Sequence, residues 1–250
     1  MQDSFSSVRL HLSPERSYNV TNKLIIEPVA HIRTDFTEKF GLPRQSGRVD
    51  ELCGTIIFEP KYRNPDALRE IEGFSHLWLI FDFSMSHREN SDTWQPTVRP
   101  PRLGGNRKVG VFASRSPFRP NPIGLSCVKL VGVEKTDTHG TVLRVSGVDL
   151  LDGTPILDIK PYLPFADSHP DAVGGYADEE RSHHLKVNFP SSLLETLPKD
   201  KRSAAVACIA EDPRPSYQSD SRVYTMSFAG YEIDFTVEDD TATVFEVRIL

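Results

Sequence analysis

Three apolar runs follow one another in the stretch LSCVKLVGVEKTDTHGTVLRVSGVDLLDGTPILDIKPY, residues 125–162. The runs at 125–134, 141–150 and 155–162 are rich in valine, leucine and isoleucine, which favour extended backbone. Glycine, proline and aspartate separate them, and these residues are typical of turns. No helical segment lies between the runs, so the stretch predicts strands of a β domain rather than a βαβ unit.

The residues before this stretch continue the same pattern. Only one segment, 65–73, is typical of a short helix, with Asn64 as its predicted cap and Pro65 at the first helical position. Seven strands with one helix predict a closed or nearly closed β-barrel over residues 23–165. The four further strand-like runs are 23–32, 52–59, 76–83 and 108–113.

The sequence changes in character near residue 190. Residues 190–250 contain helical segments on either side of Pro198, then three strand-like runs joined by an Ala-Gly turn and an acidic turn. This pattern predicts a small α+β C-terminal domain, so the chain as a whole is expected to be mostly β. Residues 166–189 are rich in charged residues and contain two glycines, which predicts a linker or flap, and residues 1–22 are expected to be a flexible leader.

Positive charge is concentrated in one part of an acidic chain. The 250 residues carry a net charge of −6, yet residues 93–133 contain seven lysines and arginines and no carboxylate, which leaves 22 basic against 35 acidic residues, or −13, elsewhere. Such a patch favours local contact with a phosphate-bearing partner, although a solvated basic face is the simpler explanation. The candidate nucleic-acid contacts are Arg99, Arg102, Arg107, Lys108 and Arg119.

Several features that the sequence lacks narrow the class of protein. It has neither a run of eighteen apolar residues nor a signal peptide, which predicts a soluble cytoplasmic protein without a membrane partner. Its three cysteines include no CxxC pair, so neither a zinc site nor a disulfide framework is expected, and Cys53 and Cys127 are predicted to be buried and inert. The pair His183-His184 is interpreted as a polar strand start, and no metal is expected. The common nucleotide-binding, acyl-transfer and zinc-hydrolase motifs are absent.

The segment GVFASRSPFRPNPIGLS, residues 110–126, combines three prolines with Arg115 and Arg119. Proline fixes φ, so this loop is predicted to be stiff and to present its arginines to an anion or polar ligand with little loss of entropy. A proline-rich surface turn with solvated arginines explains the composition equally well.

A second polar group lies at the end of the opening stretch, where Asp158, Lys160 and Tyr162 are spaced by two. In a strand this spacing places all three side chains on one face, with Leu157 and Ile159 on the other. A half-buried strand shows the same alternation, and an ordinary ion pair on the strand face would account for Asp158 and Lys160.

Five blocks of the chain together resemble the tRNA (N6-threonylcarbamoyladenosine-37) N6-methyltransferase family, over roughly residues 24–250. The resemblance implies an S-adenosylmethionine-dependent enzyme with a β-barrel rather than a Rossmann fold, a small C-terminal domain, a homodimer and tRNA as substrate. The leader of about twenty residues departs from the family pattern. The blocks are PVAHIRTDFTEKFGLPRQSG, FSHLWLIFDF, PTVRPPRLGGNRKVGVFASRSPFRPNPIGLS, LLDGTPILDIKPYLPFADS and EDPRPSY.

The resemblance also implies a set of cofactor contacts and a substrate on which three polar side chains could act. Asp158 and Tyr162 are then candidates for accepting the N6 proton, and Lys160 for pairing with the threonyl carboxylate or the ureido oxygen. Two alternatives from other classes are a non-catalytic RNA-binding barrel and a protein that binds the cofactor as a regulator or methylates a small metabolite. The implied cofactor contacts are Pro43, Arg44, Gln45, His76, Leu77, Arg115, Leu125, Asp152, Gly153, Thr154 and Pro155.

Overall fold

A computed structural model describes residues 24–84, 94–100, 106–180, 184–214 and 222–250. These residues form a ring of six strands and a separate four-stranded sheet, and the predicted mostly β class is confirmed. The predicted leader lies outside the described residues. The strands of the first part are β1 (Ala30–Arg33), β2 (Cys53–Phe58), β3 (His76–Asp82), β4 (Thr97–Val98), β5 (Val109–Gly110), β6 (Ile123–Thr136), β7 (Gly140–Ser146) and β8 (Pro155–Pro161).

The ring has the order β1-β2-β7-β6-β3-β8, and every neighbouring pair is antiparallel. β8 returns to β1 at only two positions, Ala30 with Ile156 and His31 with Pro155. We therefore describe a ring of strands rather than a uniformly closed barrel.

Alternation along the strands fills the interior of the ring. In β3, Leu77, Leu79 and Phe81 are buried, while the residues between them are half-buried on the outer face. This two-residue period is what the run HLWLIFD predicts, because successive side chains of a strand point to opposite faces. The strand prediction over 76–83 is therefore confirmed.

Two predicted elements near the ring take other forms. Residues 65–73 form two short 3₁₀ turns rather than a helix, Pro65–Leu68 and Ile71–Gly73, separated by Glu70 at φ 69°. The predicted cap is present, since Asn64 Oδ1 accepts the Asp66 backbone N–H at 3.0 Å. The run at 108–113 contributes only β5, which pairs with β4 outside the ring, and then a 3₁₀ turn, Val111–Ala113.

Three short helices and four strands follow the ring among the described residues, and the first of these helices directly succeeds β8. The three predicted strands form consecutive antiparallel pairs, and the Ala-Gly turn between the first two has φ values of 52° and 83° at Ala229 and Gly230. The fourth strand, Lys186–Asn188, follows the pair His183-His184 that was interpreted as a polar strand start, inside the predicted linker or flap, and it pairs in parallel with the last strand of the chain. The elements are α1 (Pro164–Asp167), β9 (Lys186–Asn188), α2 (Ser191–Leu194), α3 (Arg202–Ala210), β10 (Tyr224–Phe228), β11 (Tyr231–Glu238) and β12 (Thr241–Ile249).

The C-terminal sheet packs against the chain that follows β1. Phe36 and Phe228 have ring centroids 5.1 Å apart, and Phe40 stacks on Tyr224 at 6.0 Å. Gly41 has φ 90°, and an added Cβ would lie 2.4 Å from the sulfur of Met226, so only glycine fits. The sheet therefore fixes the start of the loop 41–47.

The cysteines differ in exposure. The prediction that Cys53 is buried is wrong. Cys53 is the first residue of β2, and its side chain is exposed. Cys127 is half-buried and Cys208 is buried, and burial raises the pKa of both thiols. No helix within the described ranges is long and apolar enough to cross a bilayer.

Candidate active site

A cleft of about 250 Å³ lies where β3 and β6 meet the loops 41–47 and 110–126. It brings together four segments that are far apart in the sequence, around residues 44–45, 81–83, 114–126 and 149. The lining contains both signs of charge and two aromatic rings. The lining residues are Arg44, Gln45, Phe81, Phe83, Ser114, Arg115, Arg119, Ile123, Gly124, Leu125, Ser126 and Asp149.

The apolar wall of the cleft depends on a glycine. Phe81 and Phe83 pack edge to face with centroids 4.9 Å apart. Gly124 pairs with Phe81 across β3 and β6, and a Cβ at this position would lie 2.1 Å from the Phe81 ring. The ring therefore occupies space that any other residue at position 124 would fill.

Asp149 places a carboxylate in the cleft. Its Oδ1 accepts a hydrogen bond from the buried Ser126 hydroxyl at 2.6 Å. Burial raises the pKa of Asp149 to about 6, while the Ser126 hydrogen bond and the Arg115 charge oppose that rise. Because this pKa lies near neutrality, the carboxylate can take up and release a proton under ordinary conditions.

Three arginines surround the cleft and each is held by a neighbouring group. Arg115 donates to the side-chain oxygen of Gln45, which joins the loop 110–126 to the loop 41–47. Arg119 donates to the Ser114 carbonyl at 3.1 Å, within its own loop. These contacts restrict guanidinium groups that the sequence predicted would project from a stiff loop.

The block EDPRPSY meets the cleft through Arg44, which donates to the Arg214 carbonyl at 3.2 Å. Arg214 in turn forms a two-point ion pair with Asp212, at 2.8 and 3.0 Å. Arg48 pairs with Glu211 at 2.7 Å, which ties the loop after β1 to the same block. The C-terminal part therefore holds one wall of the cleft.

The predicted cofactor residues divide into a group in the cleft and a group outside it. Arg44, Gln45, Arg115 and Leu125 line the cleft, and Pro43 is buried next to them. Arg119, predicted as a nucleic-acid contact, also lines it. The loops 41–47 and 110–126 thus meet at the cleft.

His76 and Leu77 lie at the other end of β3, five and four residues from Phe81, separations of about 17 and about 13 Å along a strand. Leu77 is fully buried in the core. His76 is half-buried, and its Nδ1 lies 2.9 Å from the Ser75 hydroxyl. The structure does not bring these two residues to the cleft.

The turn from Asp152 to Pro155 packs on the end of β1 rather than in the cleft. Asp152 Oδ1 accepts the Thr34 backbone N–H at 3.0 Å and lies 3.1 Å from Arg33 Nε. The Gly153 backbone N–H donates to the Ile32 carbonyl at 2.8 Å, and Thr154 is buried. The turn therefore supports the chain that leads to the loop 41–47.

The predicted catalytic group lies on the outer face of β8. Asp158 Oδ2 accepts a hydrogen bond from Lys160 Nζ at 2.8 Å. This is the ordinary ion pair on the strand face that was the alternative to a catalytic role. Asp158 lies opposite Ile80, and two strand spacings, about 10 Å, separate it from Leu125 at the cleft. Tyr162 follows the strand and packs against Trp78, with centroids 5.8 Å apart.

A bulge in β8 alters the predicted alternation. Ile80 pairs with Asp158 but Phe81 pairs with Ile156, so Leu157 is an extra residue between the two pairs. As a result Ile156 is fully buried, although it has the same parity as the outward-facing Asp158. Sequence spacing alone does not reveal a bulge.

Three of the candidate nucleic-acid contacts lie next to the short strands β4 and β5. Arg99 directly follows β4, and Arg107 and Lys108 directly precede β5, all three being exposed. Arg102 lies outside the described residues. Among the residues that are described, no group of three or more histidine, cysteine or carboxylate side chains could hold a metal ion.

Sequence reasoning missed the residues that complete the cleft, Asp149 above all. Its position in the apolar run 141–150 reads as part of a strand, although β7 ends at Ser146. The available signal was a carboxylate within an otherwise apolar run, since a buried acid needs a partner or a function. The other missed residues are Phe81, Phe83, Ser114, Ile123, Gly124 and Ser126.

Comparison with known proteins assigns the chain to a family. Residues 31–168 match the model of the tRNA-methyltransferase O N-terminal domain, and residues 182–249 match that of the TrmO C-terminal domain. The chain belongs to the tRNA-methyltransferase O family. The family predicted from the five sequence blocks is therefore confirmed.

Relatives of the chain are described as tRNA methyltransferases or as an S-adenosylmethionine-binding protein. A tRNA (adenine(37)-N6)-methyltransferase from Escherichia coli K12 is 40% identical over 89% of this chain and 97% of its own length. One from Eikenella corrodens is 49% identical over 68% of this chain and 95% of its length. A Pyrococcus abyssi protein named as a probable S-adenosyl-L-methionine-binding protein is 36% identical over 70% of this chain and 94% of its length.

The TrmO architecture is also seen in solved structures. A crystal structure of TrmO from Pseudomonas aeruginosa superimposes with a TM-score of 0.73 and 32% identity, covering 91% of this chain and 98% of that one. The likeness includes both the strand ring and the C-terminal sheet, because nearly all of each chain is matched.

Proposed function

We propose that this chain is an S-adenosylmethionine-dependent methyltransferase that acts on N6 of threonylcarbamoyladenosine at position 37 in the anticodon loop of tRNA. The observation that carries the proposal is the family match, which extends over both parts of the chain. The cleft supplies the chemistry that such a reaction needs. A cytoplasmic location and a homodimer belong to the same proposal.

The cleft residues fit the charges and shape of the cofactor. Arg44 and Arg115 offer guanidinium groups to a carboxylate, and the edge-to-face pair of Phe81 and Phe83 offers an apolar wall to an adenine ring. Asp149 complements a positive group. When bound, S-adenosylmethionine supplies an electrophilic methyl group on a sulfonium.

The homodimer rests on the family resemblance alone, and we expect the active enzyme to contain two chains. The cleft of one chain, about 250 Å³, is close to the roughly 300–1,000 Å³ that small-molecule sites usually enclose.

The N6 group must lose a proton, because a urea-type N–H is a poor nucleophile while the proton remains. Asp149 is the carboxylate in the cleft, and its pKa of about 6 makes the charged form the main form at neutral pH. Asp158 remains a second candidate on the outer face, where Lys160 already pairs with it. We propose that Asp149 accepts the proton.

The RNA requires little rearrangement to reach such a site. A base in the anticodon loop is unpaired, so it can enter a pocket without the melting of a duplex. The basic stretch from residue 93 to 133 provides attraction for the phosphates around it. Alignment of N6 with the methyl donor then supplies a large part of the rate, about 7–11 kcal/mol in favourable cases.

A methyl-transfer assay tests the proposal against its two alternatives. Tritiated S-adenosylmethionine is incubated with tRNA that carries or lacks the threonylcarbamoyl group, and label in the RNA is counted. We expect label only in the modified tRNA. Tight RNA binding without transfer would favour the non-catalytic barrel, and cofactor binding with indifference to tRNA would favour a regulator or a small-metabolite enzyme.

A further inference from the structure

An exposed pair of aromatic side chains stands beside the β4–β5 hairpin. Trp94 is 50% exposed and Phe112 is 74% exposed, and their ring centroids are 5.8 Å apart. The pairing of β4 with β5, together with a 2.9 Å hydrogen bond from the Val111 N–H to the Pro96 carbonyl, holds the two segments together. We call Trp94 and Phe112 the aromatic pair.

The surroundings of the aromatic pair are positively charged. Arg99 and Lys108 flank the two short strands and are exposed. Arg107 lies over the ring of Tyr176, with its guanidinium carbon 6.0 Å from the ring centroid. No carboxylate occurs between residues 93 and 133. Aromatic rings interleaved with basic groups are the arrangement that binds unpaired nucleic acid, because bases stack on the rings and phosphates meet the charges.

The aromatic pair is close to the cleft. Phe112 precedes Arg115 by three residues, so their Cα atoms are at most about 11 Å apart. The Tyr176 hydroxyl donates to the Ala113 carbonyl at 2.9 Å and so braces the turn between them. Successive stacked bases are separated by about 3.4 Å, so about three stacked nucleotides span the distance between Phe112 and Arg115 at the edge of the cleft.

We propose that Trp94 and Phe112 form a stacking platform for one or two unpaired nucleotides next to the target adenine in the anticodon loop. This proposal rests on the proposed function, and it deepens that function by naming a subsite for the neighbouring bases. A hydrophobic protein partner would not require the excess of positive charge around the pair. The platform holds the loop while the target base is extruded into the cleft.

Binding of an anticodon stem-loop RNA to the full chain tests the platform. We expect Phe112→Ala and Trp94→Ala each to weaken the affinity about 5- to 150-fold, the range that follows from the loss of one stacked base. Phe112→Tyr retains the ring and should bind as wild type does. Phe245→Ala, on β12 of the C-terminal sheet and 47% exposed, is the matched control and should leave the affinity unchanged.

Tryptophan fluorescence provides a second readout. The chain contains two tryptophans, Trp78 and Trp94. We expect the RNA to quench the fluorescence of the wild type, and Trp94→Phe to lose this quenching while it keeps the affinity.

The same measurements can overturn the platform separately from the proposed function. If the wild type transfers no methyl group to any tRNA, the function fails, while binding and quenching by an unpaired oligoribonucleotide still report on the platform. Unchanged RNA affinity in both alanine variants overturns it. Conversion of the alanine variants to a smaller assembly, measured by light scattering, also overturns it, because the pair would then belong to an interface between copies.

Discussion

The substitution Asp149→Asn removes one negative charge from the cleft and keeps the size of the side chain. The Asn oxygen can still accept the Ser126 hydrogen bond. In the native protein burial raises the pKa of Asp149 from 3.8 to about 6, so the folded chain holds its proton more tightly than the unfolded chain does. The charged form therefore destabilises the fold above pH 6, by about 3 kcal/mol at 1.36 kcal/mol per pKa unit.

The sign of the pH dependence follows from this difference. At Asp149 the native state binds more protons than the unfolded state between pH 4 and pH 6, so the contribution of this group to the free energy of unfolding falls as pH rises through that window and is constant above it. The Asn variant lacks this fall. We expect it to be more stable than wild type by about 3 kcal/mol at pH 8 and by about half as much at pH 5. At pH 8 the gain corresponds to a rise in Tm of about 6–12 °C for a chain of this size.

The same substitution, Asp149→Asn, should stabilise the fold but slow catalysis. If Asp149 accepts the N6 proton, its loss lowers the single-turnover rate by about 100-fold or more, with little change in tRNA binding. The wild-type rate should fall about tenfold for each pH unit below 6, since the base must be charged.

Asp158→Asn is the comparison variant for both measurements, because it removes an exposed strand-face carboxylate outside the cleft. Its stability and its rate should stay close to those of wild type. A stable Asp149→Asn enzyme that turns over normally would refute the assignment of the base. A large loss of rate in Asp158→Asn alone would transfer the role to the outer face of β8.

Three further predictions concern the cleft and its surroundings. Arg115→Ala should weaken S-adenosylmethionine binding in calorimetry without unfolding the chain. Arg69→Ala, which removes an exposed ion pair with Asp66, should leave the cofactor affinity unchanged. If Arg115→Ala binds the cofactor as tightly as wild type does, Arg115 is not part of the site. Gly124→Ala should displace the Phe81 ring, lower the free energy of unfolding by about 1–3 kcal/mol in denaturant titration and weaken cofactor binding. A wild-type free energy of unfolding together with a wild-type cofactor affinity would show that the ring is free to move. Replacement of Arg99, Arg102, Arg107 and Lys108 by serine should raise the KM for tRNA and reduce the slope of log affinity against log salt by about 3, with the cofactor affinity unchanged; an unchanged slope would contradict the electrostatic contact.

The strands of the ring could be predicted from the sequence because each buries one face. The alternation in 76–83 and the apolar runs around 52–59 and 125–134 report that burial directly. For the parallel strand β9 the sequence offered only the polar strand start at His183-His184, because the three residues Lys186–Asn188 are too short to carry a pattern of alternation. Likewise, no local signal shows that residues 65–73 form 3₁₀ turns, since the break comes from Glu70 at φ 69°.

The candidate site was only partly predictable, because it depends on which strand ends meet. Arg44 was implied by the family resemblance and Arg115 by its stiff loop as well, and the fold brings both to one cleft. His76 was expected beside them, but it lies at the far end of β3 from Phe81. Asp149 and Asp152 are only three residues apart, yet Asp149 lines the cleft and Asp152 binds the backbone after β1. The difference follows from how β7 and the turn that follows it pack in the fold, which the local sequence does not show.

The most direct test of the proposed function is the position of the transferred methyl group. Threonylcarbamoyl-bearing tRNA is incubated with the chain and S-adenosylmethionine, digested to nucleosides and oligonucleotides, and analysed by mass spectrometry. We expect one added methyl group, on N6 of the threonylcarbamoyladenosine at position 37, and none in tRNA without that modification. A methyl group on another nucleotide, or equal methylation of the unmodified tRNA, would contradict the proposed function.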